Sequence, residues 1–281
     1  MEKLEAALIK AREMRKAALS SSDTLHERPG ARGLTEARKP GRDTADWTDL
    51  PEVEITSQRA LNYRLTTLLG GKDATPYDML RSRAIRIMRE KGWSRLAVTS
   101  PDAGCGKSTV SLNLALSLAR QKDLKILLID LDLRRPSLHR LLDYVPTRSV
   151  FDVLRGEAKL EEASARIGTN LIVAMNAEPC KQPAELLQSA QARDALAEIE
   201  QRWQPDIMIF DMSPILASDD NVGFLPNVDC ALLVAAAEST SMPNIDICEK
   251  EIAQLTNVLG IVLNKCRYAD DSVGYSYGTY G

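Results

Sequence analysis

The sequence predicts an α/β fold: a doubly wound, mostly parallel sheet with helices on both faces. Three observations predict it. From residue 95 onward, short apolar runs alternate with helical stretches. The first strand passes into the first of these helices through a small-residue loop, Pro101 to Gly106, followed by Lys107-Ser108-Thr109. Aspartates close two of the apolar runs, Asp130 and Asp132 after one and Asp211 after another. Strand–helix alternation of this kind builds parallel pairs, and ligands in such sheets bind at the strands' C-terminal ends.

The elements follow in order. Residues 1–19 carry Leu4, Leu8, Ala11, Met14 and Ala18 at helical spacing, with Lys, Arg and Glu elsewhere, so an amphipathic helix is expected that docks on a partner or on the protein's own body. Residues 20–50 are rich in Ser, Pro and Gly with few large apolar groups, and read as a flexible linker. The folded domain is expected over 51–265. Glu52 to Ile55 reads as a short extended segment. A helix opens at Pro76, which suits a first turn, and runs to about Lys91 with Tyr77, Leu80, Ala84 and Met88 inward. Strand 95–100 feeds helix 107–121, whose inward residues are Val110, Leu114, Ala115 and Leu118. The run Lys125 to Leu131 is almost continuously apolar, as a strand covered on both faces requires. A short helix is expected over 149–154, a strand over 171–174 and one long helix over 184–202. Strands are expected over 207–210, 231–235 and 259–263, with a helix over 245–255. The tail 266–281 holds four of the chain's seven tyrosines among Gly and Ser, a composition that packs no core, and is expected to be flexible.

Bulk composition narrows the function classes. At 281 residues, 44% hydrophobic and 27% charged, the chain reads as a soluble globular protein. A formal net charge of -3 gives no sign of a general nucleic-acid binder. No apolar run approaches transmembrane length, and the N-terminus lacks a signal-peptide core, so a cytoplasmic location is expected. The five cysteines form no C-x-x-C pair, which indicates neither a zinc site nor a disulfide framework. Cys105 reads as filler in the loop.

The chemistry concentrates around residues 103–109. Gly104 and Gly106 let the backbone curl so that N–H groups converge on an anion, and the next helix adds its positive end. Ala103, Gly104, Cys105, Gly106, Lys107, Ser108 and Thr109 are thus the expected nucleotide-binding residues. Lys107 would reach the β/γ-phosphates of ATP and Ser108 would sit on Mg²⁺. The full loop pattern has a Gly where this chain has Pro101, so the match is to G-x-G-K-S-T in its strand–loop–helix setting. A buried strand-end Asp is costly unless compensated, and Mg²⁺ compensates it. Asp211 and Asp130 are therefore expected at the metal, and Asp130 or Asp132 as the proton acceptor. Arg134 and Arg135 stand in reach of phosphate, of a neighbouring subunit, or of solvent.

Ile126-Leu-Leu-Ile-Asp-Leu-Asp-Leu-Arg-Arg-Pro-Ser-Leu-His139 resembles the second Walker motif of the CpsD/CapB-type bacterial tyrosine kinases of polysaccharide export. Leu80-Arg81-Ser82, Ser149 to Gly156, Pro183 to Leu187, Asp206 to Pro214 and Gly260 to Lys265 resemble further landmarks of that family. The likeness covers about 75–281, and the charged N-terminal segment also resembles free-standing autokinases of exosortase and extracellular-polymer loci. It implies a P-loop NTPase of the deviant-Walker, ParA/MinD-like architecture. It further implies Lys107 on phosphates, Ser108 and Asp211 on Mg²⁺, Asp130 or Asp132 as base, and Asn264 as a base-reading residue. Tyr268, Tyr275, Tyr277 and Tyr280 fall where the family places its autophosphorylation cluster. Implied partners are an integral-membrane polysaccharide co-polymerase of the Wzz/CapA kind at the inner face of the plasma membrane, further copies of the chain, and a cognate tyrosine phosphatase. The family's subunit-contact motif, E-x-x-R-x-x-R, reads Thr75, Asp78 and Arg81 here and matches only at the last position. Met212-Ser213-Pro214 replaces the common Thr-Pro-Pro. Two alternatives share the sheet: a ParA/MinD-like ATPase, whose signature Lys is replaced here by Asp102, and a non-catalytic, nucleotide-gated regulatory subunit of an export complex.

Overall fold

The computed structural model describes residues 44–266. The helix expected over 1–19, most of the linker and the tail tyrosines lie outside the described residues. A seven-stranded sheet forms the centre, in the order β3-β4-β2-β5-β1-β6-β7. Its strands are β1 (Arg95–Thr99), β2 (Ile126–Leu131), β3 (Ser164–Ile167), β4 (Leu171–Ala174), β5 (Ile207–Met212), β6 (Cys230–Ala236) and β7 (Asn257–Asn264). All neighbours pair in parallel except β3, which runs antiparallel to β4 at one edge.

Helices cover both faces. The principal ones are α1 (Ser57–Asn62), α2 (Thr66–Leu69), α3 (Thr75–Lys91), α4 (Lys107–Leu118), α5 (Leu138–Leu142), α6 (Val150–Leu154), α7 (Pro183–Gln188), α8 (Ala190–Trp203), α9 (Asp220–Phe224) and α10 (Met242–Leu255). Strand alternation divides the core into two layers. Leu96 and Val98, Ile126 and Leu128, and Ile207 and Ile209 pack with α4 on one face. Ala97, Leu127, Ile129, Met208 and Phe210 pack with α6 and α8 on the other. β1, β2 and β5 are buried at every position, hence the apolar runs Leu96–Val98, Ile126–Ile129 and Ile207–Phe210 within them. The same alternation puts Asp130 and Asp211 on the α4 face, in register with each other across β2 and β5.

Two expectations are corrected. The expected linker ends earlier than residue 50, because Trp47 and Leu50 are both only 3% exposed. The Trp47 indole N–H donates to the Trp203 carbonyl at 2.9 Å, and the two rings meet edge to face. The single helix expected over 184–202 is two helices. Ser189 takes extended backbone angles between α7 and α8, and its hydroxyl accepts from Ala192 N–H as an N-cap. β3, α1, α2, α5 and α9 were not foreseen. The segment expected to be extended at Glu52 to Ile55 contributes one parallel bridge, Glu52 to Arg166, which covers the β3 edge with an ion pair of 2.9 Å.

Candidate functional site

The loop between β1 and α4 adopts the expected curl. Gly104 and Gly106 have φ of 83° and 88°, the left-handed region that side chains other than glycine rarely adopt. No side chain caps the N-terminus of α4. Its first-turn N–H groups are thus left for an anion, beside the partial positive charge of the helix end. Ala103 and Gly104 are exposed, Ser108 and Thr109 are half-buried, and Cys105 is buried with its thiol 3.6 Å from the Thr240 hydroxyl. Asn264, at the end of β7, donates to the Cys105 carbonyl at 2.9 Å. Its amide lies where a side chain at residue 106 would start: a Cβ there would be 2.3 Å from Nδ2.

Lys107 pairs with Asp132 at 2.6 Å, both side chains nearly buried. Burial alone would lower the lysine's pKa, but Asp211, Asp132 and Asp130 outweigh it and hold the ammonium above its ordinary value. Asp130 accepts from three backbone N–H groups, those of Asp132, Ser137 and Leu138, at 3.0–3.2 Å. Burial first, and then the charge of Asp211, pushes its carboxyl up to about 8. Asp211 is also raised by burial, opposed by Lys107 and by hydrogen bonds from Ser108 and Ser111. One of its oxygens, Oδ2, is buried without a hydrogen-bond partner. A buried carboxylate oxygen left unmatched next to a second carboxylate fits a cation.

Among the described residues, no cluster of three or more His, Cys, Asp or Glu forms a metal cage. Mg²⁺ does not need one, since it takes one or two carboxylates and completes its shell with phosphate and water. Ser108, Asp130 and Asp211 fit that role.

The structure therefore brings Lys107, Ser108, Asp130, Asp132, Asp211 and Asn264 to one strand-end site. Arg134 is turned elsewhere: it makes a bidentate contact of 2.9 Å to the fully buried Asp220 on α9 and a second pairing to Asp219. The sequence reading missed two supporting residues. Ser111 lies one helical turn after Lys107, with its hydroxyl 2.9 Å from the Lys107 carbonyl and 3.2 Å from Asp211. The i, i+4 spacing was the available signal. Asn176 donates to the Asp130 carbonyl at 2.8 Å from beyond β4, and no local pattern marks it.

Fold and site together define a nucleotide-binding domain. Residues 96–273 match the CobQ/CobB/MinD/ParA nucleotide binding domain family, CbiA. Within that class, the chain is 32% identical to the tyrosine-protein kinase YwqD of Bacillus subtilis (strain 168) over 208 residues, covering 73% of this chain and 85% of YwqD. It is 29% identical to the tyrosine-protein kinase ptk of Acinetobacter johnsonii over 182 residues, 64% of this chain but only 24% of that longer relative. The kinase domain of the Escherichia coli tyrosine kinase ETK shares the fold, with a TM-score of 0.67, 24% identity, and coverage of 82% of this chain and 93% of that domain. The chain belongs to the bacterial tyrosine-protein kinases. Among the described residues, no helix is long and apolar enough to cross a membrane.

Proposed function

We propose that this chain is an ATP-dependent protein-tyrosine autokinase that phosphorylates Tyr268, Tyr275, Tyr277 and Tyr280 of a neighbouring copy. The observation that carries the reading is the buried Lys107–Asp132 pair set beside the unmatched Oδ2 of Asp211. The backbone of 103–109 would hold the ATP phosphates, and Asn264 would help to fix the nucleotide. Mg²⁺, held by Ser108, Asp130 and Asp211, would supply charge neutralisation at the transferring phosphoryl group.

Lys107 leaves Asp132 to reach phosphate, and that movement frees the Asp132 Oδ2. Asp130 is already engaged by three backbone N–H groups, so the freed Asp132 is the better base. Tyrosine arrives protonated, because its pKa is about 10. Its phenolic oxygen forms a bond to the γ-phosphorus as the bond to the β,γ-bridging oxygen breaks. The phenolic proton passes to Asp132, and ADP leaves. Each phosphotyrosine then carries a charge of about -1.5 to -2 and is repelled by the acidic site.

The resemblance to CpsD/CapB-type kinases supports a role in regulating exopolysaccharide or capsule polymerisation. It also supports a Wzz/CapA-like membrane co-polymerase as activator, a position at the inner face of the plasma membrane, and reversal by a cognate phosphatase. The test is incubation with Mg²⁺ and γ-labelled ATP followed by phosphosite mapping, on the full chain and on a chain ended after Lys265. Label on the tail tyrosines, lost on truncation, is the expected result. Release of free phosphate with an unlabelled tail would instead make the chain a ParA/MinD-like ATPase.

A further inference from the structure

Asp132 opens a tight turn beyond β2. The Arg135 N–H donates to the Asp132 carbonyl at 3.2 Å and to its Oδ1 at 3.1 Å, which puts Arg134 at the third position of that turn. The Arg134 guanidinium reaches to the start of α9, where Nε and Nη2 each donate to Asp220 at 2.9 Å. Nearly half of the arginine side chain is exposed, whereas the Asp220 side chain is wholly buried. A buried carboxylate needs compensation at both oxygens, and the guanidinium fork provides it in one fixed geometry.

Asp220 is itself held on the metal side of the site. The next residue, Asn221, is fully buried and donates to the Ser213 carbonyl at 2.9 Å. The Thr99 hydroxyl, at the end of β1, donates to the same carbonyl at 2.8 Å. Ser213 lies two residues after Asp211, and the Ile215 N–H donates to the Ser100 carbonyl at 2.8 Å. α9 also meets α7 closely: a Cβ at Gly223 would be 2.0 Å from the Gln188 Cγ. Asp220 is thereby tied to β1 and β5, which lead into the phosphate loop and carry Asp211. Arg134 is tied to β2 and Asp132.

We propose that the Arg134–Asp220 pair is a positioning clamp for phosphoryl transfer, fixing Asp132 beyond β2 relative to the metal carboxylate Asp211 on β5. The inference rests on the kinase reading above. Asp132 needs such a hold because Lys107, its partner in the nucleotide-free site, leaves it for phosphate. Asp130 is kept in place by three backbone N–H groups. Asp132 keeps the Arg135 N–H, and the clamp keeps the turn. Arg134 and Asp220 act through that turn and are positioning residues rather than catalytic ones.

Rates of tail-tyrosine labelling against ATP concentration test this on the full chain, alongside affinity for a fluorescent ATP analogue and thermal melting. Arg134→Gln and Asp220→Asn should each lower kcat about tenfold to a hundredfold, as misplacing a reacting group by about 1 Å does, while KM for ATP and analogue affinity stay within about threefold. Arg134→Lys keeps the charge without the fork and should recover only part of kcat. Arg134→Gln also leaves Asp220 buried without its cation and should lower the melting temperature. Adding Asp220→Asn removes that charge and should restore melting but not kcat. An unchanged kcat in the single variants, or a kcat that recovers with the melting temperature in the double variant, would overturn the proposal. So would a loss confined to KM and analogue affinity. A natural chain that binds the analogue but labels no tyrosine would refute the kinase reading itself, and the clamp with it.

Discussion

Replacing Asp211 with asparagine separates what the site does from what it costs the fold. In the nucleotide-free protein, burial and then the charge of Asp211 push the Asp130 carboxyl up to about 8. Between the ordinary carboxylate range and that value, the folded protein keeps a proton that the unfolded chain has released. Stability therefore falls as pH rises, by about 1.4 kcal/mol per pH unit for one whole proton, and levels off above the folded value. From pH 5 to pH 8 this amounts to about 4 kcal/mol, or about 8–16 °C of melting temperature for a domain of this size. Asp211→Asn removes the charge contribution and leaves burial, opposed by the Leu138 and Ser137 N–H groups and by Lys107, so its melting temperature should fall less steeply with pH. The variant should melt several degrees above the natural protein at pH 8 without Mg²⁺ and nucleotide, and the gap should narrow toward pH 5. Adding Mg²⁺ with an ATP analogue should stabilise the natural protein and leave the variant unmoved. Scanning calorimetry over pH 5–8 reads both effects. Parallel pH profiles for the two proteins would refute the reasoning, since the carboxylates would then not be coupled.

Three other perturbations have defined outcomes. Lys107→Met should reduce tyrosine labelling below detection, and should cost about 3–5 kcal/mol in urea denaturation because Asp132 is left buried and unpaired. Trp47→Ala should cost about 3–5 kcal/mol by the same assay, through the lost packing on Trp203 and the orphaned carbonyl, although the residue lies far from the phosphate loop. Gly106→Ala should weaken binding of a fluorescent nucleotide about tenfold or more, since left-handed backbone costs an ordinary residue about 1–2 kcal/mol and the new methyl meets the Asn264 amide. Adding Asn264→Ala removes that contact but not the backbone strain, so recovery should be partial.

The sheet and the site were legible in the sequence because both obey local rules. β2 and β5 are buried on both faces and so read as unbroken apolar runs, and the loop glycines are required by positive φ. Tertiary context decided the rest. β3, Ser-Ala-Arg-Ile, buries Ser164, leaves Arg166 half-buried and is held by its pairing with β4 and by Glu52, so its sequence shows no strand period. The break at Ser189 carries neither Gly nor Pro; a serine reads as tolerable helix until it is seen capping α8. Trp47 is a lone aromatic amid linker-like composition, and its value lies in a contact 156 residues away. In the site, spacing put Asp130 and Asp132 together, but it could not assign Lys107 to Asp132 and the backbone amides to Asp130. That division follows from the turn over 132–138, which closes onto Asp130.

A mixing experiment tests the central claim most directly. The Lys107→Met chain, with its tail intact, is the acceptor, and the chain ended after Lys265, with its site intact, is the donor enzyme. With Mg²⁺ and γ-labelled ATP, the account predicts label on Tyr268, Tyr275, Tyr277 or Tyr280 of the acceptor, dependent on the donor and absent when the donor also carries Asp132→Asn. An unlabelled acceptor in the presence of a nucleotide-binding donor would contradict transfer between copies, and label that survives Asp132→Asn would contradict the assignment of the base.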